Sequence, residues 1–455
     1  MNSTKTRPVV GLVTLGCDKN TVDMEHVAGL LARGGCDALP LGLEVPEDGA
    51  PAPDAVVILT CGFVADAKVQ SVETVVEWAE RKKRTGAPAR LYVAGCLAQR
   101  HGADLFGAIP EIDGMLGVGQ MTRLAEMVRK DHDSRRMEVP DTPDMTPPGP
   151  LPRRALETAP HRYLKIADGC DHTCAFCAIP AMKGAYHSVP KGHLLDEARR
   201  LLRDGARELV LIAQDTTLYG TDLYDDYRLP ELLGDLCGIR GDFRVRLLYA
   251  YPGGISPRLL EVMADEPKIA RYLDIPLQHL DPGVLRKMRR PGHRASVGGL
   301  VARIRRALPD AALRTTMITG LPGETPGAFR ALVQGVKELR FEWLGAFAYS
   351  PEEGTPAAVM GDQVPKATRE RRRARLLEAQ AQITAEFNAS RVGKTLRVLV
   401  EGVDSASGRA WGRSGAEAPD IDGQVWIANG GAVPVGDFAE VKITRADIYD
   451  IEGRA

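Results

Sequence analysis

The sequence predicts an α/β protein in three successive parts: an N-terminal parallel sheet domain (8–136), a central partial (β/α)6 barrel (161–380) and a small C-terminal β-barrel (393–455). Three observations carry this reading. Short, nearly continuous apolar strands alternate with helical patterns near the N-terminus, as in a parallel sheet covered on both faces. From Tyr163 a strand–helix repeat runs six times, too few for a full eight-unit barrel. After Gly393 the pattern changes to short alternating strands punctuated by Gly and Asp.

The bulk composition agrees. A chain of 455 residues with 44% hydrophobic content is expected to form two to three domains with full cores. Lys and Arg number 59 and Asp and Glu 60, so a net charge of −1 does not decide for or against nucleic acid. The apolar run from Val9 to Leu15 is too short to span a membrane and lacks a signal-peptide layout. The eight cysteines do not form a disulfide ladder. The expected location is a reducing cytoplasm, with no membrane partner.

In the first part, apolar strands are expected at 9–15, 55–60 and 90–94, with a helix over 70–84. Each strand ends at a cysteine: Cys17, Cys61 and Cys96. Strand C-termini of a parallel sheet share one edge, so the three thiols should converge there. Such a set can hold an iron–sulfur cluster with one iron left open. Three small residues buried at tight turns would give the same pattern. Cys36 and Cys237 lack this placement and read as ordinary core cysteines.

Residues 137–160 contain seven prolines, including Pro148, and read as a stiff extended linker. The barrel strands that follow are expected at 163–167, 208–213, 245–250, 272–276, 313–319 and 344–348. Side chains for chemistry belong at their C-terminal ends. Gln214 and Asp215, Gln278 and His279, Glu324, and Tyr349 and Ser350 fall there, as does the loop Asp168-Gly-Cys-Asp-His-Thr-Cys-Ala-Phe-Cys177. That loop places Cys170, Cys174 and Cys177 in C-x3-C-x2-C spacing. Three thiolates so close can bind three irons of a [4Fe-4S] cluster and leave the fourth open for a small molecule. Structural zinc would call for four ligands in paired spacing, and no second pair follows.

The loop resembles the hallmark of the radical S-adenosylmethionine (SAM) enzymes. In them SAM chelates the open iron, and one electron cleaves it to a 5′-deoxyadenosyl radical. Leu15-Gly-Cys-Asp-Lys-Asn20, Thr60-Cys-Gly-Phe-Val-Ala-Asp-Ala-Lys68 and Gly95-Cys-Leu-Ala-Gln-Arg100 are similar to the cysteine motifs of the methylthiotransferases, which insert CH3–S at an unactivated C–H bond. Ile109-Pro-Glu-Ile-Asp-Gly114 and Leu116-Gly-Val-Gly119 also fit. Leu59 stands where Asn is usual, Lys183-Gly184 where Arg-Gly is usual, and Val189 where Arg is usual. Lysine at 183 keeps the charge but loses bidentate recognition of a carboxylate.

The resemblance implies two [4Fe-4S] clusters, one on Cys17, Cys61 and Cys96 and one on Cys170, Cys174 and Cys177. It further implies SAM bound near Gln214, Asp215, Gln278 and Glu324, serving as both methyl donor and radical source. The family has a branch acting on tRNA adenosine beside the anticodon and a branch acting on an aspartate β-carbon of the twelfth small-subunit ribosomal protein. This sequence is closer to the second. The expected partners are that ribosomal protein, free or in the ribosome, and an electron donor; nucleic acid is not expected as the direct substrate. The last part resembles a TRAM domain, an OB-like module. With seven basic and ten acidic residues it carries a net −3. A basic protein therefore suits it better than RNA phosphates, and Asp420, Asp422 and Asp437 are expected to contribute to that contact. A non-catalytic iron–sulfur or zinc RNA-binding protein is the reading of another class, and the strand-end motifs count against it.

Overall fold

The computed structural model describes residues 7–130, 134–147, 149–290, 294–428 and 433–455. The N-terminal sheet has six parallel strands: β1 (Val9–Thr14), β2 (Asp37–Leu41), β3 (Ala55–Thr60), β4 (Arg90–Gly95), β5 (Gly114–Leu116) and β6 (Arg136–Glu138), in the order β2-β1-β3-β4-β5-β6. Strand alternation sends Val10, Leu12, Val57 and Leu59 to one face, against the helix Asp18–Arg33. Val13, Val56 and Ile58 go to the other, against Trp78 of the helix Ala65–Thr85. Both faces are covered, which is why β3 is buried throughout. The order reverses between β1 and β3, and the crevice beyond their C-terminal ends is where ligands bind in such sheets. β2, β5 and β6 were not legible as strands: β2 is a half-exposed edge containing Pro40, and the other two have three residues each.

The proline-rich segment opens with β6 and then runs without regular structure, but it is packed rather than free. Arg153 is buried between Glu25 (2.5 Å) of the first part and Glu197 (2.7 Å) of the barrel. Met145 packs with Cys96 and Val118 on one side and Ala178 and Met182 on the other. Pro148 lies outside the described residues.

The barrel strands are β7 (His161–Lys165), β10 (Glu208–Ile212), β11 (Arg244–Leu247), β12 (Tyr272–Gln278), β13 (Ala312–Thr319) and β14 (Trp343–Ala348), with a short hairpin of β8 (Ala167–Asp168) and β9 (His187–Ser188) after the first. They form two parallel three-stranded sheets, β11-β10-β7 and β12-β13-β14. One parallel bridge, Val245–Ile269, joins β11 to the approach to β12. Leu164, Leu209, Leu211, Val245, Leu247, Leu273, Ile275 and Leu313 face the surrounding helices. Much of the other parity is charged or polar: Lys165 on β7, Glu208 on β10, Arg244 and Arg246 on β11, Asp274 on β12 and Arg314 on β13. The open barrel thus has a charged lumen, and the two flanking domains neutralise it from opposite ends.

The C-terminal part is a closed five-stranded barrel of β15 (Thr395–Val403), β16 (Ala410–Arg413), β17 (Val425–Ile427), β18 (Phe438–Ala446) and β19 (Ile451–Arg454), in the order β15-β16-β17-β19-β18. Its β16–β17 connection enters the lumen at the N-terminal ends of the barrel strands. Arg244 donates to Ser414 O (2.7 Å), Arg246 to Gly415 O (3.0 Å) and Trp343 Nε1 to Ala416 O (2.7 Å). Ala418 packs with Val210, Ile212, Tyr272 and Trp343. Arg413 is paired with Glu208 (3.1 Å) and Glu401 (2.7 Å), all three nearly without solvent exposure.

This docking corrects the expectation that Asp422 faces a protein partner. Asp422 is buried, accepting from Tyr272 Oη (2.6 Å) and lying 3.4 Å from Arg314. Asp420 accepts from Tyr163 Oη (2.9 Å), and Asp437 pairs with Arg207 at 3.2 Å. Asp422 and Asp437 thus meet cations of the lumen and rim, whereas Asp420 takes a neutral phenol, and Asp420 and the half-exposed Asp437 stay at the surface.

Candidate functional site

The first cysteine set is built by the ends of β1, β3 and β4. Asn20 donates to Leu15 O (2.7 Å) and Thr60 O (3.3 Å), tying the first two loops together. Ser71 Oγ accepts from Cys61 N and donates to Cys61 O, both at 3.0 Å. Gly16 has φ +97, and a Cβ there would lie 2.7 Å from Cys61 Cβ and 3.0 Å from its Sγ. Only glycine lets the first two cysteine loops approach this closely. Cys61 and Cys96 are buried and Cys17 is exposed, so the set opens outward at one corner. Burial pushes the Cys96 thiol up to about 12, partly offset by the Lys183 ammonium.

The second set lies in the loop after β8. Gly169 has φ +77 and no room for a side chain, since a Cβ would meet Ala185 O at 1.8 Å. Cys177 N donates to Cys174 O (3.1 Å), and Ala175 N donates to Met288 O (2.9 Å), fixing the loop to the helix Pro282–Lys287 and the residues that end it. Burial, with the neighbouring thiols adding to it, pushes Cys170 up to about 11 and Cys177 up to about 12. Bare thiols so placed are neutral; a bound metal centre is what would make them thiolates. Among the described residues no group of three or more His, Cys, Asp or Glu side chains is gathered as around a single metal ion. The donor chemistry of both sets, soft sulfur alone, fits iron–sulfur clusters.

Between the two sets lies a buried chain of charges. Lys183 is 3.0 Å from Asp168, Asp168 is 2.9 Å from Lys165, and Lys165 pairs with Asp23 of the first part. Burial works against ionisation of Asp168, but Lys165 and Lys183 outweigh it and hold the carboxyl well below its usual range. Lys19, two residues after Cys17, stacks 3.2 Å from the centroid of the Tyr249 ring at the end of β11. None of these contacts was anticipated, although alternate polar residues on β7 were a readable signal.

The expected SAM contacts divide. Gln214 Nε2 donates to Asp168 Oδ1 (2.8 Å), and its Oε1 is buried without a partner. Gln278 also has a buried, unpartnered Oε1, and its backbone is left-handed (φ +73) at a break in register. Unpaired buried polar atoms and strained backbone at strand ends fit a polar ligand at this mouth. The two carboxylates are different. Asp215 accepts from His172 Nε2 (2.7 Å), Thr217 N (2.8 Å) and Thr217 Oγ1 (2.6 Å). Glu324 accepts from Gly320 N and from Arg372 Nη1 (3.0 Å). Both carboxylates are held by protein donors: Asp215 by its own loop and by His172 of the cysteine loop, Glu324 by Gly320 and by Arg372 of the helix Lys366–Ala389. Lys183, likewise, is spent on Asp168 rather than free to meet a carboxylate.

The cysteine loop at the mouth of an open parallel barrel, with a small β-barrel behind it, defines a radical SAM protein. Residues 164–335 match the Radical SAM superfamily, 9–117 the Uncharacterized protein family UPF0004, and 392–455 the TRAM domain. The chain is 41% identical over 446 residues, covering 98% of each chain, to "Ribosomal protein uS12 methylthiotransferase RimO" of Desulfitobacterium hafniense (strain Y51). It is 43% identical over 445 residues, 98% of this chain and 92% of the other, to the protein of the same name from Anaeromyxobacter sp. (strain Fw109-5). It belongs to the ribosomal protein uS12 methylthiotransferase family, a family of radical SAM enzymes. Among solved structures it shares the fold of the radical S-adenosylmethionine methyltransferase TsrM from Kitasatospora setae, with TM-score 0.57, 16% identity, and 78% of this chain and 77% of that one covered.

Proposed function

We propose that this enzyme methylthiolates the β-carbon of an aspartate in ribosomal protein uS12, with SAM as methyl donor and radical source. Cys170, Cys174 and Cys177 would hold the cluster that binds SAM, and Cys17, Cys61 and Cys96 the cluster that carries sulfur. When bound, these groups supply a carbon-centred radical and a transferable methylthio sulfur. The chain's own part is placement. Gln214 and Gln278 offer buried carbonyl oxygens to donors of the SAM molecule, while Asp215 and Glu324 hold the shape of their loops. The division into 8–136, 161–380 and 393–455 belongs to this reading, as do a one-electron donor and a cytoplasmic setting. Among the described residues no helix is long and apolar enough to cross a membrane.

The observation that carries the reading is the pair of cysteine sets linked by the buried Asp23–Lys165–Asp168–Lys183 chain. The test is anaerobic reconstitution, then reaction with SAM, a reductant and either uS12 or tRNA. Intact protein should bind about eight irons and add the mass of CH3S in place of H to uS12 only. Changing Cys17, Cys61 and Cys96 to Ala should leave about four irons and 5′-deoxyadenosine formation, without methylthio product. Changing Cys170, Cys174 and Cys177 to Ala should abolish 5′-deoxyadenosine. Methylthiolated tRNA with unmodified uS12 would overturn the substrate assignment.

A further inference from the structure

One buried cation at the barrel mouth has no part in the roles above. Arg290 is 9% exposed, and among the described residues no carboxylate pairs with it. Its Nη2 donates to Pro276 O, and its Nη1 points at Cys174 Sγ, 3.7 Å away. The guanidinium carbon lies 4.4 Å from the centroid of the Tyr251 ring. On Tyr251 stacks His172, centroids 3.9 Å apart and planes 13° apart, and His172 is fixed by Asp215 at 2.7 Å. Arg289, in a left-handed conformation at φ +54, turns the chain so that Arg290 N can donate to Leu285 O (2.9 Å). The same turn supplies Met288 O to Ala175 N, so the guanidinium and the cysteine loop are mounted on one support.

A buried guanidinium without a counter-ion is costly. A [4Fe-4S] centre on three thiolates is an anion, and it gains one further negative charge on reduction. Hydrogen bonds to cluster sulfur and nearby positive charge favour the reduced form and raise the potential. We propose that Arg290 is a positioning residue that sets the reduction potential of the cluster on Cys170, Cys174 and Cys177, through a charge-assisted N–H···S bond to Cys174. The Tyr251–His172–Asp215 column keeps the guanidinium on the sulfur. The step affected is the transfer of one electron from a low-potential one-electron donor to the cluster, with no bond made or broken. The inference rests on the assignment of that cluster in the proposed function.

The test uses the full chain, anaerobically reconstituted, with Cys17, Cys61 and Cys96 changed to Ala so that one cluster reports. Iron content is measured first, then the midpoint potential by dithionite titration followed by electron paramagnetic resonance. If the parent holds no cluster iron, the underlying assignment fails, independently of Arg290. With the cluster in place, Arg290→Met should make reduction at least tenfold less favourable, about 59 mV more negative for one electron. Arg290→Lys should recover part of the loss, since it keeps charge without the planar fork. Tyr251→Leu, which frees the guanidinium, should move the midpoint the same way by less. An unchanged midpoint in Arg290→Met with iron retained overturns the proposal. Should Arg290→Met fail to retain iron, Arg290→Lys and Tyr251→Leu decide: a negative shift supports it and parental midpoints in both overturn it.

Discussion

Arg413→Met should loosen the terminal domain from the barrel. Arg413 meets Glu401 with Nε and Nη2, both at 2.7 Å, and Glu208 with Nη2 at 3.1 Å and Nη1 at 3.4 Å. After truncation Glu208 still has Arg246 at 2.5 Å and Arg244 at 3.5 Å. Glu401 is left with His161 alone, at 2.9 Å. One buried carboxylate therefore loses its main counter-charge, and breaking such a pair costs about 3–5 kcal/mol. A second route gives a similar size. Burial opposes ionisation of Glu401, but Arg413 and His161 outweigh it and bring its pKa from 4.5 to about 2. At about 1.4 kcal/mol per pH unit, that gap is about 3 kcal/mol. The assay is equilibrium urea unfolding at pH 7, with fluorescence following the terminal-domain Trp411 and Trp426. Because a matched apolar pair tolerates burial, Arg413→Met with Glu401→Leu should recover most of the loss, giving a strongly non-additive cycle. A loss below about 1 kcal/mol, as for an exposed ion pair, would refute the account.

Other outcomes follow from the same geometry. The contribution of Glu401, whose pKa is depressed, is present above 4.5 and lost as pH falls through about 2, so acid titration of Arg413→Met should show a shallower loss over that window than the parent. Asp422 runs the opposite way. Burial pushes its pKa up to about 6, so its contribution is full below 3.8 and lost as pH rises through about 6. The stability advantage of the parent over Asp422→Asn, measured by urea midpoints, should shrink between pH 4 and pH 7. Lys183→Met leaves one surplus buried carboxylate in the Asp23–Lys165–Asp168 chain and should cost about 3–5 kcal/mol, with Lys183→Arg costing less. Gly16→Ala forces a Cβ against Cys61 at φ +97, and iron analysis after reconstitution should show the N-terminal site emptied while the barrel site stays filled.

The parts of the structure visible in the sequence are those set by local pattern. Apolar runs gave β1, β3 and β4, and the cysteines at their ends mark the sheet edge because strand C-termini must meet there. What stayed hidden depends on distant partners. Arg-Val-Arg-Leu in β11 shows alternation, but not that its arginines turn inward toward Ser414 and Gly415, some 170 residues on. The carboxylates of Asp422 and Glu324 looked available because sequence shows residue type and not satisfaction; Tyr272 and Arg372 already occupy them. Arg290 closes the basic run Arg286-Lys-Met-Arg-Arg290, which by sequence could meet an acidic substrate at the barrel mouth; the Tyr251 ring and Cys174 distinguish it from its neighbours.

The lumen-entering β16–β17 connection also constrains how this family can be recombined. Its backbone carbonyls are read by Arg244, Arg246 and Trp343, and its Asp422 carboxylate by Tyr272, so the terminal domain is keyed to the first residues of three barrel strands. A terminal domain transplanted from a distant relative would bring its own loop and leave those keys unmatched. Chimaeras should therefore fold only when strand starts and loop are exchanged together, and the two should change in step as the family diverges. A relative without this domain would need another plug for the same end of its barrel.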